Sequence, residues 1–279
     1  MVGVDPSWRV RGDGVDLHAV EVGALGAPAI VIAHGVGSSA SFVIGCFAAA
    51  AYEAGLRLIA YDARGHGPRG RLRDPARHDL DAYIADLDAV VARAGARMVG
   101  GMSLGAHTAA AWAAGRTDLE GVLLCMPGWT GSAQPGVGPH AAVAADVRRV
   151  GVEAVLRAAL ADPGVPPWLA HLLDRDWRSS DAASLAAALV ALDGGGAPTT
   201  AELATIAAPA GVVGWEGDGG HPLEVAVEWA QAVPRASLAR IDMEEFGADP
   251  SVMGRAAMAA WATARQSPGS PPVGSGAGG

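Results

Sequence analysis

Met98-Val99-Gly100-Gly101-Met102-Ser103-Leu104-Gly105-Ala106-His107 is the stretch whose reading decides the fold. The short apolar run from Arg97 to Val99 reads as a buried strand and the alanine-rich segment from Ala106 to Ala114 as a helix. Gly101-Met102-Ser103-Leu104-Gly105 therefore occupies the turn between them. Gly-x-Ser-x-Gly in this context pushes its serine into a strained, exposed position, because the small residues on either side let strand and helix approach closely. The hydroxyl then stands at a helix N-terminus, where unpaired backbone N–H groups favour developing negative charge. The same five residues are also compatible with a serine that merely caps the helix, so the surrounding chain has to decide.

Upstream, Ala29-Ile-Val-Ile-Ala33 is a continuous apolar run too short for a helix, the pattern of a strand buried on both faces. It ends in His34-Gly35-Val36-Gly37-Ser38-Ser39. A helix from Phe42 to Ala54 and a strand from Arg57 to Tyr61 follow, the latter ending in Asp62-Ala63-Arg64-Gly65-His66-Gly67. Before them, Trp8 to Val22 reads as an antiparallel hairpin with His18 on its second strand. Leu80 to Ala94 has the spacing of an amphipathic helix, and Gly121 to Met126 is a further buried strand. Such alternation implies an α/β fold with a mainly parallel sheet covered on both faces, and ligands at the carboxyl ends of the strands.

From Pro127 to Ala208 the alternation stops, and the chain becomes helical and rich in alanine and leucine. It resumes with a strand from Ala210 to Trp215, a helix from Pro222 to Ala232, a strand from Ala236 to Ile241 and a helix from Pro250 to about Ala264. The predicted organisation is a core of residues 1–126 and 209–265, a helical cap over residues 127–208, and a disordered Pro/Gly/Ser-rich tail over residues 266–279.

At 279 residues and 51% hydrophobic, the chain suffices for one large domain with an insertion. No stretch approaches the ~20 apolar residues of a membrane span, and the N-terminus lacks the regions of a signal peptide, so a cytoplasmic protein is expected. A net charge of −9 argues against nucleic acid and anionic membranes as partners. Cys46 and Cys125 sit in apolar runs and read as small buried hydrophobes. The histidines and cysteines lack ligand spacing, so neither a metal nor another cofactor is implied. The apolar cap is also a candidate homodimer interface.

In the order of its motifs the chain resembles the α/β-hydrolase superfamily over nearly its whole length. The likeness rests on His34-Gly35-Val36-Gly37 after the third strand, Asp62-x-Arg64-Gly65-His66-Gly67 after the fourth, Gly101-x-Ser103-x-Gly105 after the fifth and Asp218-x-x-His221-Pro222 after the seventh. Carried over, it makes Ser103 the nucleophile, the backbone N–H groups of Val36 and Leu104 the oxyanion hole, and Asp218 the acid of a triad. It also makes Pro127–Ala208 a cap between the sixth and seventh strands.

The superfamily's histidine belongs in the loop after the last strand, and here that loop is Asp242-Met243-Glu244-Glu245-Phe246-Gly247-Ala248-Asp249-Pro250. Phe246 stands roughly where imidazole is expected, and no histidine follows His221. His221, near the proposed acid, is a candidate base; Glu244 and Glu245 are others, although a solvated carboxylate is far less basic than imidazole. His34 adjoins the oxyanion loop, His107 lies one turn beyond Ser103, His66 belongs to a structural turn, and His140 and His171 lie in the cap. His34, Trp129 and Trp215 are expected to contact substrate, and Trp177 with them to favour a hydrophobic or aromatic molecule.

Two functions fit this pattern. The first is a small-molecule serine hydrolase for an ester, lactone or thioester, using Ser103 and a base from a non-standard place. The second, prompted by the missing histidine, is a non-hydrolytic member of the fold, either a ligand-binding pseudoenzyme or a lyase, cyclase or isomerase.

Overall fold

A computed structural model describes residues 4–12, 14–67, 77–131, 139–194 and 196–266. The chain opens with the hairpin β1 (Val4–Arg11) and β2 (Asp16–Val22), then alternates through β3 (Ala29–Ala33), α1 (Ala40–Glu53), β4 (Arg57–Asp62), α2 (Leu80–Ala94), β5 (Met98–Met102), α3 (Leu104–Ala113) and β6 (Gly121–Cys125). Four helices follow, α4 (Pro139–Val150), α5 (Val152–Ala161), α6 (Pro167–Trp177) and α7 (Ala182–Gly194), and then the single turn α8 (Thr200–Leu203). The last part is β7 (Ala210–Gly214), α9 (Leu223–Ala232), β8 (Ala236–Arg240), α10 (Met243–Ala248) and α11 (Ser251–Gln266). Apart from Gln266, the predicted tail lies outside the described residues.

The eight strands form one sheet in the order β1-β2-β4-β3-β5-β6-β7-β8. β2 is antiparallel to β1 and to β4, and every pairing from β4 onward is parallel. The continuous apolar runs are explained by burial on both faces, with alternate residues serving opposite cores. Val31, Ile59 and Tyr61 pack with α2, α3 and α9 on one face, while Ile30, Ile32, Leu58 and Ala60 pack with α1 and α11 on the other. No helix among the described residues is long and apolar enough to cross a membrane.

The turn after β4 ties these layers to the loop after β3. Asp62 Oδ1 accepts the Ala40 N–H at 3.0 Å, His34 Nε2 accepts the Ala63 N–H at 2.9 Å, and His66 Nε2 accepts the Gly37 N–H at 2.8 Å. Arg64 anchors the turn from below. Its guanidinium meets Asp86 of α2 in a bidentate pair, Nε to Oδ2 at 2.7 Å and Nη2 to Oδ1 at 2.8 Å, with both side chains fully buried. Two parallel charge-assisted bonds offset the desolvation of such a pair only while both partners are present. Asp86→Ala is therefore expected to lower stability by about 3–5 kcal/mol, read by chemical denaturation, because it leaves a buried guanidinium without its carboxylate. A loss below about 1 kcal/mol would show that the pair does not anchor the turn.

Candidate active site

The site begins with the backbone of Ser103, whose φ of 53° and ψ of −119° are rare for a residue with a side chain. The conformation is over-determined. Ser103 N–H donates to Cys125 O at 2.9 Å, and Ser103 O accepts from Ala106 and His107 of α3. A Cβ on Gly101 would lie 2.1 Å from the Gly105 carbonyl, and one on Gly105 would lie 2.3 Å from Ala33 O, so both positions must be glycine for strand and helix to close on the turn. Ser103 stands at the N-cap position of α3 but makes no side-chain capping bond. The hydroxyl is directed elsewhere, which removes the alternative of a simple cap.

Its partner is His221. Nε2 of His221 lies 2.9 Å from Ser103 Oγ, and Nδ1 lies 2.7 Å from Asp218 Oδ2. A carboxylate only accepts, so Nδ1 carries the proton and Nε2 presents a lone pair to the serine hydroxyl. An imidazole so held can take the hydroxyl proton as oxygen attacks a carbonyl.

The loop after β7 builds acid and base together. Asp218 Oδ1 folds back on the Gly220 N–H at 2.8 Å, Oδ2 also accepts the Trp215 indole N–H at 3.1 Å, and His221 N–H closes the turn onto Asp218 O. Burial alone would raise the Asp218 carboxyl. The hydrogen bond and charge of His221, with the Gly220 and Trp215 donors, outweigh it and hold the group well below the usual carboxylate range.

The loop after β3 supplies the facing wall. A Cβ on Gly35 would come within 3.1 Å of Ser103 Cβ, which places this backbone directly over the serine. Among the described residues neither the Val36 nor the Leu104 N–H donates to a protein acceptor. Leu104 is the first residue of α3, where an N–H has no intrahelical partner. Leu104 follows Ser103 directly in the chain, and Val36 lines the same cavity as Ser103.

Above Ser103 lies a cavity of about 350 Å³. Its wall from the sheet includes Val36, Met102 and Met126, and its wall from the inserted helices includes Leu169 and Leu172 of α6 and Leu192 of α7. Trp129 and Trp215 line it as expected from the sequence. His34 does not, and that expectation is corrected: the ring is buried, with Nδ1 donating to Gly35 O at 2.7 Å and Nε2 holding Ala63 N–H. Trp177 likewise packs against the loop at Gly37 rather than into the cavity.

The segment read as a loop after the last strand contains a short helix, α10, because Asp242 caps it by accepting the N–H groups of Glu244 and Glu245. Those two glutamates are exposed and do not line the cavity. Phe246 of the same helix is buried at the cavity wall, with ring centroids 5.1 Å from both Trp168 and Trp215. The imidazole expected there is thus replaced by part of an aromatic wall.

The family described as "Serine aminopeptidase, S33" matches residues 27–189, more than half of the chain. The chain belongs to this family of α/β-hydrolases. Among solved structures, the S33-family chain is similar to the enol-lactonase from Burkholderia xenovorans LB400, at 24% identity and a TM-score of 0.71, covering 88% of this chain and 97% of that one. A carboxylesterase of Nitrososphaera gargenis matches at 16% identity and 0.76, covering 94% and 99%. The Bottromycin epimerase BotH, solved in complex with Bottromycin A2, matches at 21% and 0.64, covering 94% and 99%. At these identities the likeness is one of fold. No curated protein matches the sequence.

Three further histidines of this S33-family protein are buried and held neutral. Burial, aided by a neighbouring imidazole, lowers His66 and His107 to about 3, and burial with His66 and Arg64 nearby lowers His78 to about 4. His107 packs behind the turn, accepting the Gly128 N–H at 3.0 Å against Trp129. Below the ordinary histidine value near 6.5 the unfolded chain binds protons that the folded chain refuses, so stability is complete above that value and declines as pH falls toward 3–4. Each group contributes a slope of up to about 1.4 kcal/mol per pH unit. The melting temperature is expected to fall steadily from pH 7 to pH 4; a flat profile over that range would contradict the neutral burial of these rings.

Proposed function

We propose that this α/β-hydrolase cleaves an ester or lactone, or a thioester, of a small and largely hydrophobic molecule. Ser103 is the nucleophile, His221 the general base, Asp218 the acid that orients it, and the N–H groups of Val36 and Leu104 the oxyanion hole. The single observation that carries this reading is the position of His221, bonded at once to Ser103 Oγ and to Asp218 Oδ2.

In the proposed reaction Ser103 Oγ attacks the substrate carbonyl while His221 Nε2 takes its proton, and the carbonyl oxygen becomes an oxyanion facing the two N–H groups. His221 then returns the proton to the leaving alcohol, and water repeats the sequence on the acyl-serine. Asp218 stays ionised throughout, which its depressed carboxyl permits. The apolar cavity favours an uncharged acyl or alcohol portion, and the aromatic wall of Phe42, Trp168, Trp215 and Phe246 suits a planar or branched one. The non-hydrolytic alternative was motivated by a missing base, and the contact of His221 Nε2 with Ser103 Oγ supports the hydrolytic reading instead.

Treatment with a fluorophosphonate probe is expected to label the wild-type protein at Ser103 and to leave Ser103→Ala unlabelled. His221→Ala is expected to lower kcat on p-nitrophenyl butyrate by about 10³-fold or more. Asp218→Asn should do so by up to about 10⁴-fold, since an amide no longer enforces the Nδ1–H tautomer. A folded wild-type protein that neither reacts with the probe nor cleaves the ester at neutral pH would overturn the proposal.

A further inference from the structure

Apart from the triad, the polar side-chain groups on the cavity wall are Ser38, His140 and the indole N–H groups of Trp129 and Trp168, since Trp215 gives its own to Asp218. Ser38 follows Val36 and Gly37 in the loop after β3; its residue is 6% exposed, and among the described residues its hydroxyl has no hydrogen-bond partner. An orphaned buried hydroxyl costs about 1–3 kcal/mol unless something satisfies it, and a wall position allows a bound molecule to do so.

His140 comes from α4, on the inserted helices opposite the sheet. Its Nδ1 lies 2.7 Å from Asp193 Oδ1 of α7, and Asp193 Oδ2 also accepts the Ala141 N–H. Asp193 is nearly buried and His140 about a third exposed. Because the carboxylate only accepts, it places the proton on Nδ1 and leaves Nε2 as a lone-pair acceptor. Among the described residues that nitrogen makes no hydrogen bond. The cap thus repeats the imidazole–carboxylate pairing of the triad, with no serine beside it.

We infer that His140, oriented by Asp193, and Ser38 form a hydrogen-bonding subsite that selects substrates bearing a neutral hydroxyl apart from the scissile carbonyl. The inference deepens the hydrolase reading and rests on it for the position of the reacting ester. A hydroxyl suits either group, because it donates to Nε2 of His140 and can both accept from and donate to Ser38. No arginine stands among the described lining residues, so a carboxylate at this place lacks a fixed counter-charge. The substrate class is accordingly a hydroxylated hydrophobic ester or hydroxy-lactone.

The test compares p-nitrophenyl hexanoate with its 3-hydroxy and 6-hydroxy forms and with the p-nitrophenyl monoester of adipate. The wild-type protein is expected to prefer at least one hydroxylated ester over hexanoate by about threefold to tenfold in kcat/KM, the size of one hydrogen bond. His140→Leu should bring that ratio toward one. Asp193→Asn retains the imidazole and, by donating to Nδ1, moves the proton to Nε2, from which a hydroxyl can still accept, so this variant is expected to keep the preference. Equal rates on hexanoate and both hydroxylated esters, preference for the adipate ester over both, or a preference that survives His140→Leu would overturn the subsite. Binding of the same esters to Ser103→Ala, by equilibrium dialysis, separates the two claims. Tighter binding of a hydroxylated ester with no turnover by the wild type sinks the hydrolase reading and supports the subsite. Turnover without discrimination sinks the subsite alone, as does failure of all four esters to bind.

Discussion

The hydrogen bond between Asp218 Oδ2 and His221 Nδ1 is the interaction on which the site depends. It fixes which nitrogen carries the proton, and so decides whether Ser103 faces an acceptor or a donor. Only two residues separate the two groups, and the turn that joins them closes through Gly220 and the backbone of Asp218 itself. A pair formed this locally needs no second loop to bring it together. That frees the segment after β8 from supplying an imidazole, and α10 instead inserts Phe246 into an aromatic wall.

Preorganisation of the other half of the site rests on histidines that do no proton transfer. His34 and His66 each donate from Nδ1 to a backbone carbonyl and accept a backbone N–H at Nε2. Their burial keeps them neutral, and neutrality is what lets Nε2 accept. The loop bearing Val36 is thereby fixed over Ser103 without a charge near the place where an oxyanion would form. The Arg64–Asp86 pair holds the same turn from the core side.

The inserted helices close the cavity and give it chemical character. α6 and α7 bring leucines and Trp168, whereas α4 brings His140 with a carboxylate behind it. Structures of this fold that share less than a quarter of the sequence carry the names lactonase, carboxylesterase and epimerase. A shared strand order therefore does not decide between such chemistries, which depend on the side chains of each site.

The order of motifs along the chain was enough to determine the α/β-hydrolase architecture, and the same reading found the strained turn at Ser103 and a run of helices between β6 and β7. Each of those follows from local physics: hydrophobic period, glycine where backbone must approach backbone, and short apolar runs for strands buried on two faces. Sequence could name Ser103, Asp218 and the loop at Val36, because each lies at the end of a strand. It singled out His221 among eight histidines only by its place beside Asp218, since where a ring points is decided after the chain has folded. Tertiary structure turned His221 toward Ser103, drew His34 away from the cavity into backbone bonds, and set Phe246 where a base was sought. His140 and Asp193, 53 residues apart, became one unit only when α4 packed on α7. Spacing in sequence carries no record of such long-range pairing, because it is fixed by the packing of whole helices and not by the residues beside it.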